Sequence, residues 1–146
     1  MASTEDATET PSETIRSLIA RIAHAADEAS VEAYTDLYTE DAVWEMAGSD
    51  HNAGKAQVNR GLAEIIAATR SRRASGISGP GTATRHITSC VAVTVDSPDT
   101  ARAESVWQFY ADTTTTPRLS GMGRYHDTFR RIDGRWLLAA RSISAG

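Results

Sequence analysis

Cysteine is scarce in this 146-residue chain: there is one, Cys90. It excludes an internal disulfide and has no Cys or His neighbour at metal-ligand spacing. Its place in an alternating strand pattern suits a small packed apolar group, and the usage fits a reducing cytoplasm. Long apolar runs are missing as well. No stretch approaches a membrane span, and the acidic start Met1-Ala2-Ser3-Thr4-Glu5-Asp6 lacks the basic and apolar parts of a signal peptide, so a soluble, unexported chain with no membrane partner is expected. Basic charge is also short: 15 Lys and Arg against 19 Asp and Glu give a net charge of -4, which disfavours nucleic acid as a partner. The four histidines, His24, His51, His86 and His126, are widely separated without a ligand motif, so a site free of metal and cofactor is the simpler expectation.

What is present fits one domain, residues 11–146, after an acidic, aperiodic tail over residues 1–10. Pro11 and Ser12 open a helix on which Ile15, Leu18, Ile19, Ile22, Ala23 and Ala26 recur at helical spacing. Ser30 caps a second, short helix over residues 30–38. A short strand follows over residues 42–46, then turns, then a third helix over residues 56–73 with Val58, Leu62, Ile65 and Ile66 on its apolar face. Arg70, Arg72 and Arg73 at its end read as solvated cations beside the helix C-terminus. The glycine-rich segment at residues 75–81 lacks the strand and helix of a phosphate cradle and reads as a loop at a cavity mouth.

From Thr82 the period becomes alternating, with strands expected over residues 83–95, 101–112, 120–132 and 135–144. Asp133-Gly134 is a strong hairpin signal between the last two. The class is therefore α+β, three helices on a curved, mainly antiparallel sheet that encloses a pocket. Trp107, Phe109, Trp136 and Leu138 offer more apolar surface than a small pocket requires, which predicts a homo-oligomer, dimer or trimer.

For chemistry, His86 at the head of a strand and Asp27 at the end of the first helix are the informative pair, because a carboxylate beside an imidazole equips a general base. Two readings of Asp27 stay open: a carboxylate pointing inward from a helix end, or an exposed one in a turn.

The strings Tyr34-Thr35-Asp36-Leu37-Tyr38-Thr39-Glu40-Asp41-Ala42-Val43-Trp44, Thr84-Arg85-His86-Ile87-Thr88 and Gly123-Arg124-Tyr125, the last leading to Arg131-Ile132-Asp133-Gly134-Arg135-Trp136, carry a resemblance. Residues 12–144 resemble the SnoaL-like branch of the nuclear transport factor 2-like superfamily, which implies a cone-shaped α+β fold. Within it, the scytalone dehydratase and hexachlorocyclohexane dehydrochlorinase families use an Asp-His dyad, and Asp27 and His86 look like its counterparts. The position similar to the catalytic aspartate of the ketosteroid isomerase family is Met46, which disfavours that route. Asp127 and Arg141 keep a water-activating arrangement open.

The resemblance implies a cofactor-independent lyase or isomerase, of dehydratase or cyclase type, acting on a small apolar or polyketide-like molecule. His86 is the expected base and Asp27 its orienter. Tyr110, Tyr125 and Arg141 are candidates to stabilise developing charge, and Trp44 and Met46 to form the pocket wall. The rivals are a noncatalytic ligand-binding or assembly domain and the small subunit of a ring-hydroxylating dioxygenase.

Overall fold

The structure, a computed structural model, describes residues 8–146. Most of the tail expected over residues 1–10 lies outside them, and its last residue belongs to the first helix. The Thr10 hydroxyl accepts the Glu13 N–H at 3.3 Å and the Glu13 carboxylate accepts the Thr10 N–H at 2.8 Å. This reciprocal cap, with Pro11 at the first helical position, starts α1 (Pro11–Glu28). Its Ile15, Leu18, Ile19 and Ile22 are buried, as the spacing predicts.

Two expected boundaries move. The second helix, α2 (Val31–Thr35), starts at the Ser30 cap but ends early, because Tyr38 already pairs with Leu138 in β1 (Tyr38–Met46). The third helix begins late. Residues Gln57–Arg60 form a strand, β2, against β1, and α3 (Leu62–Ala74) starts after Gly61, whose φ of 82° breaks any helix running through it. Val58, expected on the helix's apolar face, is instead an exposed strand residue.

Four long strands complete the sheet: β3 (Arg85–Ser97), β4 (Thr100–Ala111), β5 (Arg118–Ile132) and β6 (Arg135–Ala145). The order is β2-β1-β6-β5-β4-β3, antiparallel throughout except that β1 runs parallel to β6. The three helices pack on this curved, open sheet, and α1 lies mainly against β3.

Two irregularities decide which side chains face inward. In β3 the register shifts between Ser89 and Ala92, with Cys90 at a left-handed φ of 52°. His86 and Thr88 precede the shift and line the cavity, and Val91 and Val93 after it pack on the core from the same face. Cys90 itself is exposed, not packed as strict alternation predicts. In β6 a shift at Ala139 does the same: Trp136 and Leu138 point into the core before it, and Arg141 and Ile143 point inward after it. The apolar surface counted towards an oligomer is consumed within one chain, since Trp107, Trp136 and Leu138 are buried and Phe109 is half-buried in the cavity wall. Exposed apolar residues on the sheet's outer face include Ile87, Leu119 and Met122.

Among the described residues no helix is long and apolar enough to cross a membrane.

Candidate active site

Between the inner face of the sheet and the helices lies a cavity of about 380 Å3. Asp27 stands just behind its wall. It falls in the last turn of α1, four residues after Ala23 on the same inner face, so the helix carries it inward, and it is 4% exposed. Its Oδ1 lies 2.7 Å from Nδ1 of His86, and its two oxygens accept the His86 backbone N–H at 3.3 and 3.0 Å. The same carboxylate thus fixes both the strand end and the ring. With Nδ1–H donating to the carboxylate, Nε2 keeps its lone pair for the cavity, which His86 lines beside Phe109 at 4.7 Å between rings. Of the two readings open for Asp27, the inward one is observed.

The other cavity groups differ in what they have left to give. Arg141 donates from Nε and Nη2 to the two oxygens of Asp127, each at 2.9 Å, and its guanidinium lies over the Tyr125 ring, 3.8 Å from the centroid. Burial works against the Arg141 charge, but Asp127 beside it outweighs burial and keeps the guanidinium charged far into alkali. Burial also pushes the Tyr125 hydroxyl up to about 12, partly offset by the Arg141 cation, so this phenol stays protonated at neutral pH. Tyr34 and Tyr38 share a hydrogen bond of 2.6 Å, and burial holds Tyr38 well above the ordinary tyrosine range.

Tyr125, Arg141, Trp44 and Met46 all line the cavity with His86. Tyr110 does not. It pairs with Arg85, one step from the His86–Phe109 pair, and alternation turns it with Gln108 to the outer face. Phe109 takes the place expected for it.

The wall also holds residues of α3 that composition alone marks as solvated cations. Thr69, Arg72 and Arg73 continue the inward face of α3 from Leu62 and Ile65 at helical spacing, whereas Arg70 faces out and pairs with Glu32 at 3.0 Å. Arg73 donates to the carbonyls of Ala29, Ala25 and Ala26 at 2.6, 3.2 and 3.4 Å, satisfying the end of α1. Ile77 and Ser78 of the following loop line the cavity, and Gly79 lies so close to the Arg73 stem that a Cβ there would stand 2.8 Å from it. Arg72 stacks over Trp44 at 4.8 Å, and its Nη2 reaches the Thr69 hydroxyl at 3.3 Å. Its Nη1 is buried without a partner among the described residues, an arrangement that costs about 1–3 kcal/mol for a neutral donor and more for a charged one. The signal for Arg72 was the helical period itself, extended one turn past Ile65 and Thr69. Trp107, donating its indole N–H to the Ser144 carbonyl at 3.1 Å, and His51, 5.3 Å from it ring to ring, complete this wall.

Among the described residues no group of three or more His, Cys, Asp or Glu is arranged to hold a metal ion. The family model for the SnoaL-like domain matches residues 10–142. The chain belongs to the SnoaL-like family. Three solved structures place this SnoaL-like chain among known folds. An NTF2-like protein with a cystatin-like fold from Novosphingobium aromaticivorans is 27% identical, with 92% of this chain and 80% of that one covered and a TM-score of 0.71. A protein from Catenulispora acidiphila in complex with S-DNPA is 21% identical, covering 90% of each chain, at a TM-score of 0.71. A candidate β subunit of an aromatic-ring-hydroxylating dioxygenase, also from N. aromaticivorans, is 16% identical over 90% of this chain and 86% of that one, again at 0.71. No curated protein matches the SnoaL-like chain.

Proposed function

We propose that this SnoaL-like chain is a cofactor-independent lyase or isomerase, of dehydratase or cyclase type, that removes a proton from carbon in a small apolar or polyketide-like molecule. The observation that carries the reading is the 2.7 Å contact between Asp27 Oδ1 and His86 Nδ1, with the ring on a cavity wall. Asp27 fixes the tautomer and stabilises the imidazolium formed when Nε2 takes the proton. The Tyr125 phenol, protonated at neutral pH, is the donor available to a developing oxyanion, and Trp44, Met46 and Phe109 exclude water. The reading is also supported by the resemblance of Asp27 and His86 to the Asp-His dyads of the scytalone dehydratase and hexachlorocyclohexane dehydrochlorinase families.

The test needs no natural substrate. Exchange of the α-protons of tetralone into heavy water, followed by NMR, should be accelerated by the wild type and slowed about 10²–10⁴-fold in His86→Gln. Nitrogen shifts of the His86 ring should show Nδ1 protonated and Nε2 bare in the neutral form. Equal exchange by the two proteins would sink the base assignment and favour a noncatalytic ligand-binding or assembly domain. A second reading, the small subunit of a ring-hydroxylating dioxygenase, is favoured by the likeness of fold to the candidate β subunit. Copurification with a large iron-containing chain would support it, and a stable isolated homo-oligomer would count against it.

A further inference from the structure

The cavity wall is charged in one sense only. Arg72, Arg73 and Arg141 line it, and among the described residues no Asp or Glu does. Two of these cations are already committed, Arg73 to three carbonyls of the α1 end and Arg141 to both oxygens of Asp127. Arg72 has no carboxylate within ion-pair distance among the described residues, a buried Nη1 without a partner, and a single long bond of 3.3 Å to Thr69. Its contact with the Trp44 ring, 4.8 Å from the centroid, holds the guanidinium at the cavity wall, and Nη1 is a charged donor whose missing partner an acidic ligand oxygen would supply.

Building on the reading of the cavity as a substrate site, we propose that Arg72, backed by Trp44, binds an acidic oxygen of the ligand, so that the natural ligand is a ring compound bearing a carboxylate or a comparably acidic group. Trp44 lies on β1 and His86 on β3, with β6, β5 and β4 between them along the sheet. The acidic group therefore binds towards the β1 end of the cavity and the reacting carbon towards the β3 end. The apolar wall of Ile22, Trp107, Phe109 and Ile143 takes the rings between the two. Arg72 is on this account a binding residue, and its loss weakens capture of the ligand, not the basicity of His86.

Calorimetric titration with naphthalene-carboxylate and its neutral isostere naphthalene-carboxamide reads this directly. The wild type should prefer the carboxylate by about tenfold or more, Arg72→Gln should erase the preference, and Arg72→Lys, which keeps charge but loses the planar fork, should retain only part of it. The preference should persist in His86→Gln, a protein expected to have lost proton exchange. Equal affinity of the wild type for both probes overturns the proposal, as does failure of the folded wild type to bind either. A preference that survives in Arg72→Gln overturns it too, by assigning the anion to Arg73 or Arg141. If Arg72→Gln fails to fold, the wild-type preference and its partial loss in Arg72→Lys decide. Proton exchange intact in a protein indifferent to the anion would remove this inference and leave the His86 assignment standing.

Discussion

Two carboxylates are buried against the inner face of this sheet, and they differ in what their partners have left over. Asp127 meets Arg141 fork to fork, both contacts at 2.9 Å, with the side chains 0% and 6% exposed. Asp27 meets His86, one contact at 2.7 Å, with side-chain exposures of 2% and 23%. In the first pair every oxygen is matched and the cation is pressed on the Tyr125 ring, so the arrangement is closed. In the second, one ring nitrogen is satisfied and the other faces a cavity. Burial of an acid therefore does not mark the site. The unused valence of its partner does.

The sharpest way to break the contrast is to remove the closed pair. Asp127→Ala leaves the Arg141 guanidinium buried and unpaired, and should destabilise the fold by about 3–5 kcal/mol in urea unfolding. A loss below about 1 kcal/mol would mean that Arg141 finds water or a new partner, and that the pair is not closed. A smaller effect lies next to it. Folding favours the protonated form of Tyr125, raised by burial from 10.0 to about 12, so its contribution is complete below pH 10 and is lost as pH rises through about 12. By pH 11 the cost is about 1 kcal/mol, and Tyr125→Phe should flatten that part of the stability–pH curve, leaving the part due to Tyr38.

Much of this was legible in the sequence, for identifiable reasons. The α1 face, the Asp133-Gly134 hairpin and the inward-facing Tyr125 follow from simple periods, and Asp27 and His86 from their places at element ends. What was not legible depends on partners distant in sequence. Strand β2 looked like the start of a helix because only its pairing with β1, from Val43–Arg60 to Met46–Gln57, makes it a strand. Strict alternation misplaced Cys90, since a register shift in β3 is invisible without β4. The sequence does not decide between Tyr110 and Phe109 for the inner face, because the two differ only by one step of register. Arg70 and Arg72 look alike as cations at a helix end, yet Arg72 lies on the Ile65–Thr69 face and Arg70 does not.

The finest test sets two neighbouring acids against each other. Glu28 follows Asp27 at the end of α1 and reaches Arg85, the residue before His86, at 2.7 Å, so two side-chain contacts bridge the same two segments side by side. The Glu28–Arg85 side chains are 60% and 43% exposed, and water competes for both. Glu28→Gln should therefore cost at most about 0.5 kcal/mol, an effect that fades at high salt, and should leave proton exchange at its wild-type rate. Asp27→Asn removes the same formal charge one residue away, but it also turns one of the two oxygens that accept from His86 into an N–H donor, which no longer enforces the His86 tautomer, so exchange should fall while Glu28→Gln leaves it unchanged. If both substitutions slowed exchange equally, the role of Asp27 would reduce to general negative charge near the ring. A difference confined to Asp27 ties the effect to the hydrogen bond at Nδ1, which the exposed pair, for all its closeness in sequence, does not make.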